Sequence, residues 1–190
     1  MLTTTSLGRV SFENGWVIHP FSGELLKFDV QSIDLFNGKY CKKIIEALHF
    51  CNNPYLLSRN NYIQATDVEN EKIDDLSKIF SRLNILGNRR FLLSRIYSSF
   101  QTCIFENSAE AMNAINQLPV DVTENRCLQK CLAVAKTSTS FKENGVIFLG
   151  AHLPLKEMHA WIIEDGIQPD LEDRSWINFT PLLAIHHNLK

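Results

Sequence analysis

An α+β fold is predicted for this 190-residue chain by three features of its sequence. Strand-forming residues cluster in residues 9–30, apolar residues at three-to-four spacing dominate residues 39–137, and short β-rich runs replace that spacing after residue 145. At the start, Val10, Phe12, Trp16, Val17 and Ile18 are strand formers, and Glu13-Asn14-Gly15 among them is a hairpin signal. Pro20 to Gly23 gives a second turn, followed by Leu25, Leu26, Phe28 and Val30. Residues 39–50 read as a helix whose face carries Cys41, Ile44, Ile45 and Leu48, and Asn52-Asn53-Pro54 stops it. The weakly patterned residues 58–71 read as a loop. Residues 67–86 give a second helix with the stripe Ile73, Leu76, Ile79, Phe80 and Leu83, closed by Gly87-Asn88.

A domain boundary is placed near Gly87, dividing residues 1–86 from residues 87–190, although no linker, repeat or low-complexity tract marks it. Beyond it, residues 90–105, 108–118 and 125–137 read as helices, the second ended by Pro119 and the third burying Leu128, Cys131, Leu132 and Ala135. The run Gly145-Val146-Ile147-Phe148-Leu149-Gly150 is long enough for one buried strand. His159-Ala160-Trp161-Ile162-Ile163 gives a second, ended by the turn Glu164-Asp165-Gly166, and Trp176-Ile177-Asn178-Phe179 a third.

Composition narrows the function classes. Nineteen Lys and Arg against twenty-one Asp and Glu give a net charge of -2, without the basic excess expected of a protein held to nucleic acid by phosphate contacts. No apolar run is long enough for a membrane span, and the opening Met1-Leu2-Thr3-Thr4-Thr5 lacks the pattern of a secretory signal. A cytoplasmic enzyme or binding module is expected. The five cysteines, Cys41, Cys51, Cys103, Cys127 and Cys131, are an odd number, which favours reduced thiols. Cys41, Cys51 and Cys103 sit among apolar neighbours and are expected in the core.

Cys127 differs because it opens a helix, with Asn125 as the expected N-cap and Arg126 adding positive charge. Free N–H groups and the helix dipole lower a thiol pKa there, and the same groups can hold an oxyanion. His159 lies 32 positions on, at the head of a strand that puts it on one face with Trp161. From there an imidazole could take the thiol proton, and a carboxylate returning after the Asp165-Gly166 turn, such as Asp170, could orient the ring. The same pattern also fits a structural histidine buried beside a tryptophan. A zinc site of Cys127, Cys131, His152 and His159 is a further reading, against which Cys131 fits the apolar stripe of its helix. His186-His187 read as a frayed end, and no phosphate-binding glycine loop is present.

Arg126-Cys127-Leu128, the run from Gly145 to Leu153, Met158-His159-Ala160-Trp161 and Glu164-Asp165-Gly166 together resemble the transglutaminase-like cysteine peptidases of lasso-peptide biosynthesis, of the microcin-processing type. The resemblance covers residues 90–185. It implies a transglutaminase- or papain-like domain in which Cys127 is the nucleophile, His159 the general base and an aspartate the third member. An ungapped comparison puts that aspartate on Leu171, so Asp170 is chosen after a one-residue shift, with Asp173 as the fallback. The resemblance further implies removal of the leader from a ribosomally made precursor peptide, in a bacteriocin-type pathway. No cofactor or metal is implied. The precursor's leader is the implied partner, together with a separate ATP-dependent cyclase, and residues 1–86 would grip the leader as an added strand within residues 9–30. A transglutaminase-like acyltransferase and a non-catalytic peptide-binding or immunity-type protein are the alternative functions.

Overall fold

A computed structural model of the chain describes residues 2–12, 30–53, 68–87, 103–124, 126–153, 157–170 and 175–187. Apolar runs near the C-terminal end build the central sheet: β4 (Gly145–His152), β5 (Glu157–Glu164) and β6 (Thr180–His187). With β1 (Leu2–Ser6) they form four antiparallel strands in the order β1-β6-β4-β5, which leaves β5 at an edge. A second, two-stranded sheet pairs β2 (Gly8–Phe12) with β3 (Val30–Leu35). The helices are α1 (Lys42–Asn52), α2 (Asn70–Gly87), α3 (Ser108–Asn116), the one-turn α4 (Val120–Thr123), α5 (Cys127–Thr137) and the one-turn α6 (Phe141–Asn144). Helices and antiparallel strands occupy separate stretches of the chain, consistent with the α+β expectation. Among the described residues, no helix is long and apolar enough to cross a membrane.

The sheet is covered on both faces, which explains why β4 is apolar at nearly every position. Alternate residues go to opposite sides. Ile147, Leu149, Ala160 and Ile162 join α2, α3 and α5 in the larger core, while Val146, Phe148, Trp161 and Ile163 pack with Ile44 and Ala47 of α1 in the smaller one. The stripe on α2 holds, with Leu76, Phe80 and Leu83 buried. On α1 it shifts: Ile44 is buried, but Ile45 is 53% exposed and Cys41 is exposed, because the buried face is centred on Ile44 and Ala47 and the 100° step carries Ile45 off it. Lys43 and Ala47 complete the buried face instead. Cys103 is also exposed, against the expectation of a core position.

Several boundaries differ from the sequence reading. The hairpin expected at residues 13–15, the C-cap at Asn88 and most of the helix expected over residues 90–105 lie outside the described residues. The described end of that expected helix, Cys103 to Phe105, is not helical, and the N–H groups of Ile104 and Phe105 both donate to the Thr137 carbonyl. Trp176 to Phe179 is not a strand: Trp176 to Asn178 lie within a short 3-10 turn, Ser175–Asn178, and Phe179 follows it. The third strand is β6, and His186 and His187, read as a frayed end, are buried within it. Pro181 is tolerated in this interior strand because the β4–β6 register shifts between Leu149 and Gly150, opposite it. Burial and the positive charges of the amino terminus, Lys43, Lys142 and His186 push His187 down to about 4.

The boundary expected near Gly87 is not a boundary of packing. β1 pairs with β6 from Leu2↔His187 to Ser6↔Leu183, α1 covers one face of the central sheet, and α2 supplies Leu76, Phe80 and Leu83 to the larger core.

Candidate active site

Helix α5 starts at Cys127 and is buried from Cys131 to Thr137 between α2, α3 and the sheet. Its N-cap position is Arg126, which makes no side-chain capping bond; Asn125, the expected cap, lies outside the described residues. The first turn therefore keeps N–H groups for other partners. Cys127 is partly buried, and its sulfur meets the outer edge of β5, where the Ala160 N–H donates to it. Leu128 donates a second N–H from the helix start, and His159 supplies a side-chain hydrogen bond. Burial pushes the thiol up, but the hydrogen bond and charge of His159, with the two N–H groups, outweigh it and hold Cys127 below its ordinary value. Arg126 is not among the causes of that shift, although it lines the same cleft.

His159 sits in an aromatic box. Its ring stacks on Trp161 at 6.2 Å and 11°, and Phe179 flanks it at 5.2 Å. Trp161 is fixed in turn by Phe148 and Trp176, and its indole N–H donates to Cys51 Sγ at 3.4 Å. Burial pushes the Cys51 thiol up to about 12, and the residue packs, partly buried, against the smaller core. Gly150 lies opposite His159 across β4 and β5. A Cβ there would come within 2.5 Å of the Thr180 carbonyl oxygen and 2.7 Å of Trp161. Only glycine lets the tryptophan lie flat under the imidazole.

Asp165 at φ 50° and Gly166 at φ 74° make the tight turn that ends β5, with paired N–H···O bonds of 2.9 Å between Glu164 and Ile167. Asp165 is exposed, and the chain reverses to bring Gln168 and Asp170 onto the cleft with Cys127 and His159. The Asp170 carboxylate accepts from Asn116 Nδ2 at 3.4 Å. Asp173, the fallback third member, lies outside the described residues. The cleft has a volume of about 530 Å³, and its charged lining is mixed: Arg126 and Lys130 face Glu124, Glu157 and Asp170.

Cys127, Cys131, His152 and His159 all reach this cleft. Among the described residues, however, no three His, Cys, Asp or Glu side chains are grouped to hold a metal ion, which removes the geometric basis for the zinc reading. Sequence reasoning missed Phe179, placed in a strand, and gave His152 no role outside that metal set. It also missed Glu164, which is buried at the end of β5. Its carboxylate accepts from the Ser108 N–H at 3.2 Å and from the hydroxyls of Ser108 and Ser140. This joins the strand that carries His159 to the start of α3 and to the chain just beyond α5. Compared with known proteins, the chain matches no family model, no curated protein and no solved structure.

Proposed function

We propose that the chain is a cysteine peptidase with a transglutaminase- or papain-like catalytic arrangement, acting on the leader of a ribosomally made lasso-type precursor peptide. The observation that carries the chemistry is the hydrogen bond between Cys127 at a helix start and His159 on a sheet edge, with the thiol lowered despite its burial. The substrate class comes from the motif resemblance. The mixed charge and size of the cleft fit a short stretch of peptide.

In this reading His159 takes the Cys127 proton and the thiolate attacks the carbonyl at the leader–core junction. The N–H groups at the start of α5 face the developing oxyanion. His159 gives its proton to the departing amine, leaving the leader as a thioester on Cys127. Water, deprotonated by His159, then attacks that thioester; the leader carboxylate leaves and the thiol is restored. Asp170 is the proposed third member, held near the cleft by the Asp165-Gly166 turn, with Asp173 as the alternative. Residues 1–86 are proposed to receive the leader, with the β2–β3 sheet as the element a leader strand would extend. A separate ATP-dependent cyclase would close the ring.

The test is incubation with leader-bearing precursors, taken from short reading frames beside this gene, followed by mass spectrometry. Wild-type protein is expected to release leader and core, while Cys127→Ala keeps the fold and loses cleavage. Cleavage by Cys127→Ala would sink the proposal. Asp170→Asn and Asp173→Asn, compared in the same assay, identify the third member by which loses turnover.

A further inference from the structure

Cys103 and Lys142 are 39 residues apart in sequence, and neither lines the cleft, yet their side chains meet. Two stretches of backbone bring them together. The N–H groups of Ile104 and Phe105 donate to the Thr137 carbonyl at 2.9 and 3.0 Å. In return, the Thr139 N–H donates to the Phe105 carbonyl and the Ser140 N–H to the Glu106 carbonyl, each at 3.0 Å. Phe105 and Ser138 form a parallel bridge within this ladder, and the second stretch runs straight into α6, which carries Lys142. The meeting of the two side chains is therefore set by backbone pairing on both sides of it.

The Lys142 ammonium donates to Cys103 Sγ at 3.1 Å, and Thr139 supplies a second side-chain hydrogen bond. The lysine hydrogen bond is the chief reason that the thiol lies below its ordinary value, against a smaller effect of burial. Cys103 is exposed, so a small solute can reach its sulfur. Thiolates are oxidised by peroxides to sulfenic acids, and a sulfenic sulfur is an electrophile that a neighbouring nitrogen can attack. Here that nitrogen is already in contact, on a flexible stem.

We propose that Cys103 and Lys142 are a peroxide-sensitive pair that closes into a covalent sulfenamide link. The Cys103 thiolate attacks one oxygen of hydrogen peroxide, the O–O bond breaks, and hydroxide leaves Cys103 as the sulfenic acid. The hydroxide takes a proton from the Lys142 ammonium and becomes water. The freed amine attacks Sγ, forming the S–N bond as the S–O bond breaks, and the oxygen leaves as a second water with a proton from the nitrogen. Sulfur loses two electrons and the peroxide gains them. A small thiol reverses the link by attacking Sγ and releasing the amine. None of these steps depends on the peptidase reading.

The test treats reduced full-length protein with hydrogen peroxide and maps the products by proteolysis and mass spectrometry. The expected product joins the Cys103 and Lys142 peptides, is lighter than their sum by two hydrogens, and separates again in dithiothreitol. Cys103 should be consumed faster than Cys41, which is also exposed. Lys142→Arg keeps a cation beside the thiol but replaces the amine with a guanidinium that stays protonated. It is expected to stop at the sulfenic acid, trapped by dimedone, with no link. Lys142→Met, which removes the charge as well, should bring the oxidation rate of Cys103 down towards that of Cys41. Wild-type Cys103 that is oxidised no faster than Cys41, or that accumulates as sulfenic acid without joining Lys142, overturns the proposal whatever the variants do.

Discussion

At Cys127 burial works against ionisation, and three hydrogen-bond donors work for it. Removing His159 takes away the only one that also carries a charge. In His159→Ala, burial should then prevail, and the thiol should titrate above its ordinary value instead of below it. Because the thiolate is the nucleophile, the iodoacetamide pH profile of Cys127 should move to higher pH, with the rate near pH 7 falling at least about tenfold. An unshifted profile would show that the helix start alone activates the thiol. Both residues were legible in the sequence because each announces itself locally: a cysteine before an apolar helical stripe, and a histidine two residues from a tryptophan on a strand. Phe179 and His152 were not. Their place beside His159 comes from ring contacts that form only when the 3-10 turn and β4 meet beside β5, and no spacing in the chain encodes that meeting.

Among the elements, β5 carries the site, and one of its ends is firmly tied to the helices around it. Its far end is pinned through Glu164, whose carboxylate accepts bonds from Ser108 and Ser140. Glu164→Ala would leave those buried donors unsatisfied, at a cost of about 1–3 kcal/mol by urea unfolding. The pH dependence has a definite sign. Burial raises the Glu164 pKa above 4.5, despite the opposing hydrogen bonds from Ser108 and Ser140. Its contribution is therefore complete at low pH and declines as pH rises through the raised value. The deficit of Glu164→Ala should be larger at about pH 5 than at about pH 8, and a deficit that grows with pH would show that the hydrogen bonds outweigh burial. Regular elements such as the α2 stripe and β4 were readable because one face, or both, is uniformly apolar. β6 escaped because Pro181 near its start argues against an interior strand, and only the register shift facing it makes the strand possible.

For the molecule as a whole, the question is whether the half that carries Cys127 and His159 stands alone, as a boundary near Gly87 expects. Local pattern could not answer it, since a helix's apolar stripe does not name the surface it will cover, and the strand formed by Leu2 to Ser6 is mostly threonine. The packing answers differently. Ile44, Leu76, Phe80 and Leu83, all from before the boundary, are each 1% exposed or less. At about 1.5–3 kcal/mol for each such side chain, their burial is comparable with the roughly 5–15 kcal/mol net stability of a typical domain. Deletion of residues 1–86 would also strip β1 from β6 and uncover the apolar faces of α5 and of the Trp161 side of the sheet. A fragment of residues 87–190 is therefore expected to show no cooperative thermal transition by circular dichroism, and its Cys127 to react with iodoacetamide like an ordinary thiol. In the full chain, Phe80→Ala should lower the melting temperature while preserving a single transition, at a cost of about 3–5 kcal/mol. A fragment that melts cooperatively and keeps the activated thiol would restore the boundary, and with it a recognition domain that folds independently of the site it serves.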